Sequence, residues 1–286
     1  MKRRHSVGWC FCLLLLFIFC LLTTMPFIQL LAQSFSGEAA VQSGYVKLWP
    51  VDFQLDAYEI LLSDRYFYYG LLVSIARATL GSIFSVFMIV LLAYPLSKKN
   101  VPGASIFTII AMLTMYFHTG LIPSFLVVKK TGLMNNFLVY IIPTAVSAYN
   151  MMLMKNFMQS LPGELEDAAR IDGCNSFQVL FKIVLPLSKA MLATLLLFVA
   201  VNQWNAFMDA ILYISNRKLY PIQVYLRETL DRVESTIQTD AVDLPKSASE
   251  SVLAATTFLS ALPIMLVYPF LQKYFAKGVT IGAVKG

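Results

Sequence analysis

Within the apolar stretch 187–214, Asn202, Asn205 and Asp209 recur at i, i+3 and i+7, with Gln203 and Trp204 beside them. That spacing places two amides and a carboxylate on one stripe of a helix. Amides and carboxylates exchange hydrogen bonds with hydroxyl groups, and an indole face stacks on a ring face, so the set suits a neutral, hydroxylated solute. Asn150, with Ser147 and Tyr149, offers similar chemistry in the stretch 137–154. Polar side chains in apolar segments also bond helices of a bundle to one another, and the spacing leaves both uses open. A second chemistry is written in 164–186, where Glu164, Glu166, Asp167 and Asp172 surround Ala168 and Ala169 ahead of Gly173, Leu185 and Pro186. Small alanines let a partner's backbone or bulky side chain come close, and the acids can pair with its cations. This is recognition chemistry. No nucleophile stands beside a base, no carboxylate pair has hydrolase spacing, and no G-x-x-x-x-G-K-[ST] phosphate loop occurs, so the chain is expected to be no enzyme and to hold no ATP of its own.

The elements that must position these groups are set by composition. Of 286 residues 58% are hydrophobic and 13% charged, and the mean hydropathy is +0.69, values beyond a typical soluble domain. Lipid is the expected solvent. A helical span needs about 20 mostly apolar residues, because the bilayer core offers no water to free backbone groups. Six stretches qualify, at 9–31, 69–96, 104–128, 137–154, 187–214 and 251–272. Pro26, Pro95, Pro123, Pro143, Pro186, Pro263 and Pro269 fall in or beside them, which predicts kinked or broken helices packed as a bundle. A cleaved signal is the alternative for the first stretch, but its apolar run is longer than the roughly 7 to 15 residues of a signal core.

Basic residues set the orientation: Lys2, Arg3 and Arg4 precede the first span, and Lys98 and Lys99 lie in the short turn after the second, so the amino terminus is expected inside. Only Glu164, Glu166, Asp167 and Asp172 of the 16 acids then fall on the inner side. The net charge of +6 is read as a topology signature, with no nucleic-acid partner. Cys10, Cys12, Cys20 and Cys174 form neither a disulfide framework nor a metal set and are read as apolar packers. His5 and His118 are too far apart in the chain to pair, and His118 is read as a packing residue of the third span. Two outer segments, 32–68 with a short helix at 56–62 and 215–250 with a helix at 224–233, are candidate docking surfaces or plain solvated loops.

The inner segment reads as helix, glycine turn, helix, proline, membrane. Pro162 and the acids Glu164, Glu166 and Asp167 match a helix start, with negative charge near the positive end of the macrodipole. Gly173 is placed where a left-handed residue ends the helix. Asn175 and Gln178 have the spacing of a capping box, and Pro186 closes the second helix before the fifth span. A helix pair lying on inner headgroups is the alternative, but its polar face would be basic, whereas this one is acidic.

Asp167-Ala168-Ala169, then Gly173, then Ile183-Val184-Leu185-Pro186, resembles the EAA loop of ABC-importer permease subunits, whose signature reads E-A-A-x-x-x-G followed by I-x-L-P. LAYPLSKK (92–99), GLIPSFLVVKKTGLMN (120–135), VNQWNAFMDAILYI (201–214) and KYFAKGVTIGAVKG (273–286) resemble the carbohydrate branch of that family. With SFSGEAA (34–40) and KLWP (47–50), the chain is similar to the maltose-permease-like subgroup associated with oligosaccharides from complex polysaccharides. The family's glutamate aligns with Asp167, one methylene shorter and preceded by Glu166, which leaves open which acid takes its role.

The resemblance implies an all-α integral membrane protein of the type I permease fold with six spans and cytoplasmic EAA coupling helices. It implies a division into a first span with its outer loop (1–68), a permease core (69–272) and a cytoplasmic tail (273–286), in a bacterial inner membrane with both termini inside. It further implies a second homologous permease as heterodimer partner, two cytoplasmic ATPase subunits that bind ATP and Mg and grip the EAA helices, and an extracytoplasmic solute-binding protein. A stand-alone secondary transporter is the competing class. It would call for an internal repeat and ionisable groups near the midplane, of which Asp209 is the one candidate found by this reading.

Overall fold

The computed structural model describes residues 7–98, 100–117, 119–239 and 249–283, with side chains described except at Val7, Cys10, 236–239, Tyr268 and 270–283. Lys2, Arg3, Arg4, His5, Lys99 and His118, and the last residues 284–286, lie outside the described residues. The described chain is helical, and its one extended pairing is an isolated antiparallel bridge between Ser36 and Phe53. It divides into two compact units, Met1–Tyr68 with Tyr225–Pro263, and Tyr69–Val224 with Ile264–Gly286.

In chain order the helices are α1 (Val7–Ser34), α2 (Glu38–Gln42), α3 (Asp56–Ser63), α4 (Arg65–Ser97), α5 (Ala104–Tyr116), α6 (Leu121–Lys130), a 3₁₀ turn at Phe137–Tyr140, and α7 (Ala148–Gln159). They continue with α8 (Gly163–Ile171), α9 (Ser176–Val179), a π-helical turn at Leu180–Val184, α10 (Leu185–Leu187), α11 (Lys189–Asn205), α12 (Met208–Tyr213), α13 (Ile222–Thr239) and α14 (Glu250–Ala283). Among the described residues three helical segments are long and apolar enough to cross a membrane, Phe11–Ser34, Arg65–Ser97 and Glu250–Val267, or five if each of two bent pairs is one span.

The bends fall where backbone chemistry breaks a helix. The expected span 104–128 is divided into α5 and α6 at an angle of 119°. Gly120, with φ of +76° and ψ of 174°, occupies a conformation that only glycine adopts readily, and Pro123 sits in the first turn of α6, where its missing N–H costs nothing. The expected fourth span, 137–154, is shifted and shortened. Pro143 disfavours helix at its predecessor, and the helix starts only at Ala148, with Ser147 Oγ accepting from Asn150 N at 3.4 Å. The expected fifth span, 187–214, becomes α11 and α12, broken at Ala206 and Phe207.

In the first unit, the segment after α1 is tied back on itself. Phe35 stacks on Tyr58 and Phe53 at centroid distances of 4.8 and 5.6 Å, and Ser34 Oγ lies 2.8 Å from the Tyr58 hydroxyl. The carboxylate of Glu38 accepts from Glu250 N (2.9 Å), Ser251 N (3.1 Å) and Ser251 Oγ (2.7 Å). It therefore caps the start of α14, where free N–H groups and the helix dipole both favour an anion. In the second unit, a core at one end of the bundle joins Ile89, Val90 and Ala93 of α4, Met151, Met154 and Met158 of α7, and Val179, Leu180 and Val184 of the π-helical region.

Candidate functional site

The segment 163–188 forms a rigid elbow. Helix α8 ends in a Schellman motif: Gly173, at φ of +84°, donates to Arg170 O (3.0 Å) and Cys174 N donates to Ala169 O (2.9 Å). Space is open around Gly173, so glycine is required there by backbone conformation and not by crowding. Asn175 and Gln178 exchange both bonds of a capping box at 2.9 Å, which starts α9. Ser188 Oγ turns back to Val184 O (2.7 Å), and the axis of Ser176–Leu187 meets that of Lys189–Asn205 at 82°.

The two faces of α8 have different fates. Glu166 and Ala169, at i and i+3, turn inward: Ala169 is 7% exposed in the core, and the Glu166 carboxylate accepts from Lys98 Nζ with both oxygens. Lys98 follows α4 and lies over the Tyr94 ring at 4.7 Å, so this contact joins the elbow to the end of a long span. Glu164, Leu165, Asp167, Ala168, Ile171 and Asp172 stay exposed, Ile171 at 87%. Asp167 has only a 3.9 Å approach to Arg170. Leu185 is half-buried and Pro186 exposed. The two alanines read together from sequence thus separate, Ala169 packing internally and Ala168 facing out.

The break between α11 and α12 is filled by a residue the sequence reading passed over. Arg77, midway along α4, is fully buried, and all five guanidinium N–H donors find acceptors. Nη2 reaches Asp209 Oδ2 at 2.6 Å and Gln203 Oε1 at 3.1 Å; Nε reaches Gln203 Oε1 at 3.2 Å. Nη1 donates to Asp209 Oδ1 at 3.3 Å and to Ala206 O at 3.0 Å, satisfying a carbonyl released where α11 ends. The guanidinium also lies 4.3 Å from the Tyr140 ring centroid. Gln203 Nε2 donates to Tyr140 O (3.1 Å) and Thr144 Oγ1 (2.9 Å), so one amide links α4, α11 and the segment before α7. Gly81 makes room for it: a Cβ there would stand 3.3 Å from the Gln203 amide. An arginine amid an otherwise uncharged apolar run was the available signal, since such a charge demands a partner.

Beside this network is a half-open cavity of about 860 Å³. Its polar lining comes from Ser85 of α4, Thr144, Ser147 and Asn150 before and at the start of α7, and Asn202 and Gln203 of α11; Tyr149 and Phe198 add aromatic surface. Of the expected path residues, Asn150, Asn202 and Gln203 meet here, and of the Asn202, Asn205, Asp209 stripe only Asn202 does. Trp204 is 4% exposed and does not line the cavity, Asn205 is exposed at the helix end, and Asp209 is held by Arg77 beyond the break. The i, i+3, i+7 stripe is interrupted because α11 stops at Asn205. No group of His, Cys, Asp and Glu suited to a metal occurs among the described residues.

The family described as binding-protein-dependent transport system inner membrane component matches residues 67–281. The chain is 41% identical over 274 residues to the polygalacturonan/rhamnogalacturonan transport system permease protein YtcP of Bacillus subtilis (strain 168), covering 95% of this chain and 96% of that one. It is 39% identical over 266 residues to Protein LplC of the same organism, covering 93% and 90%. A solved bacterial ABC transporter involved in the import of the acidic polysaccharide alginate has a chain of the same fold, with a TM-score of 0.85 at 34% identity, covering 96% of this chain and 99% of that one. An all-helical chain with apolar spans and broken helices, alike over nearly its whole length to such proteins, belongs to the binding-protein-dependent transport system inner membrane component family, the permease subunits of ABC transporters.

Proposed function

We propose that this chain is one of two permeases through which an ATP-driven importer carries an oligosaccharide, derived from a uronate-containing polysaccharide, across a bacterial inner membrane. The observation that carries the coupling half of this reading is the division of α8. Its inner face is fixed to the span bundle through Glu166 and Ala169, while Leu165, Asp167, Ala168 and Ile171 face outward with acids beside them. A rigid elbow anchored on one face and open on the other transmits force without absorbing it. In this reading Asp167 takes the partner-facing role of the family glutamate and Glu166 is an internal strut.

The remaining parts follow the family pattern. Six spans, with 137–159 as a short fourth, place the elbow and both termini in the cytoplasm. Residues 1–68, 69–272 and 273–286 serve as first span with outer loop, permease core and tail. Two ATPase subunits hold ATP and Mg and seat the elbow formed by Glu164, Glu166, Asp167, Ala168, Ala169, Asp172, Gly173, Leu185 and Pro186. An external solute-binding protein delivers cargo, and a second permease completes the path. The cargo class is supported by the likeness to a polygalacturonan/rhamnogalacturonan permease and to an alginate importer. Asn150, Asn202, Gln203, Trp204, Asn205 and Asp209 are assigned to the path wall, the last three as supports of the broken helix.

The test is uptake in proteoliposomes containing the full assembly and loaded with ATP. Import of a galacturonate trisaccharide that stops when ATP is withheld supports the reading. Import driven by an ion gradient without ATP assigns the chain to the secondary transporters instead.

A further inference from the structure

The cavity between α4, α7 and α11 holds an unmet demand. Ser85 is 1% exposed, lines the cavity, and its Oγ has no hydrogen-bond partner. A buried hydroxyl without a partner is costly, and neither a lipid tail nor an apolar side chain across the cavity would relieve it. Asn202 of α11 and Asn150 of α7 line the same space. Tyr149 and Phe198 also line it. Hydroxyls, amides and aromatic side chains set among Val146, Leu197, Val199, Val201 and Ile264 around about 860 Å³, within the usual range for small-molecule sites, offer a sugar ring both hydrogen bonds and apolar contact.

The charge balance narrows the ligand. No charged side chain lines the cavity, and the nearby Arg77 and Asp209 neutralise one another at 2.6 Å behind Gln203. With its five donors occupied, the guanidinium has none left for a carboxylate in the cavity. We infer that this chain carries its own saccharide subsite here, reading hydroxyls through Ser85, Asn150 and Asn202, and that the carboxylates of an acidic cargo point away from this wall. The inference rests on the oligosaccharide reading above and adds that this permease itself contacts cargo, through a neutral face.

The test uses the complete importer in proteoliposomes, with its binding protein saturated by either a galacturonate trisaccharide or the same trisaccharide with its carboxyls reduced. The readout is the ratio of the two initial import rates relative to the unaltered importer, a quantity that loss of assembly or yield does not change. An acid placed in the wall, by Asn202→Asp or Asn150→Asp, is expected to lower the charged-to-reduced ratio about tenfold, the effect of a like charge about 12 Å away across the cavity at an effective dielectric of about 20. Asn156→Asp, the same charge change on an exposed part of α7 outside the cavity, is expected to leave the ratio unchanged. Ser85→Ala and Asn202→Ala are each expected to slow import of both probes about fivefold, as for one lost hydrogen bond, at constant ratio. An unchanged ratio in both Asp variants, or an equal change in Asn156→Asp, overturns the subsite while leaving the importer reading intact. If the unaltered importer takes up neither probe, the oligosaccharide reading itself falls and the subsite with it.

Discussion

The elbow and the mid-span network both contain acids, and they treat them in opposite ways. Around Arg77 every formal charge is answered inside the chain, by Asp209, by Gln203 and by the Ala206 carbonyl. At the elbow Glu166 is answered by Lys98 and Asp167 only by a loose, exposed approach of Arg170 at 3.9 Å, while Glu164 and Asp172 are left to solvent. A charge that can reach no water must be neutralised locally or it unfolds its surroundings; a charge in water can wait for a partner. The network is therefore a fixed wall, and the elbow is a surface whose remaining interactions are made with something else.

That contrast can be broken first at Arg77. Arg77→Leu strands Asp209 and the Ala206 carbonyl, and a loss of about 3–5 kcal/mol is expected, seen as a collapse of folded yield and of the thermal midpoint in detergent. The double change Arg77→Leu with Asp209→Leu should recover much of it, and a single variant as stable as the parent would show that the pair is not the fixed element described here. Next comes Ala169→Trp, which overfills the core under α8 and should cost about 1–3 kcal/mol, whereas Ala168→Trp on the exposed face should leave the midpoint alone yet release the ATPase subunits on co-purification. If the two alanine variants behave alike, the two-faced reading of α8 fails. Gly173→Ala should cost about 1 kcal/mol from the left-handed backbone alone. Smallest is Glu166→Gln, expected to lower stability by less than about 1 kcal/mol because Lys98 can turn to water, while slowing ATP-coupled import more than it weakens the fold.

How far the sequence could be read follows from the range of the interactions. The elbow was legible in most of its detail: the Gly173 turn and the Asn175–Gln178 capping box are written within five residues of one another and the structure shows both in place, whereas Pro186, expected to close the second helix, lies inside Ser176–Leu187 and the break falls at Ser188. The apolar stretches marked both ends of α1 and α4 and the start of α14 within about four residues, since a long hydrophobic run allows few other structures in lipid, while α14 runs eleven residues past the expected end at 272. The interrupted elements were less legible. Nothing near Asn205 in sequence demands a break there; the released carbonyl is tolerated because Arg77, 129 positions away, reaches it. Likewise Trp204 looks well suited to stacking on a ring until the packing of α11 turns it inward. Periodicity predicts a stripe only as long as the helix that carries it.

The carboxylate of Glu38 has a consequence for any attempt to isolate the matched portion of this protein. The family likeness starts at residue 67, so a shortened chain beginning there would keep every matched position. Its last helix, however, would keep the Ser249 bonds to Val252 N and Leu253 N but lose the acceptor of Glu250 N and Ser251 N, which is carried 212 positions upstream on the segment just discarded. For α14, what looks like an accessory loop is a missing end-piece, and a trimmed version should fray from residue 250 inward even with its apolar length untouched.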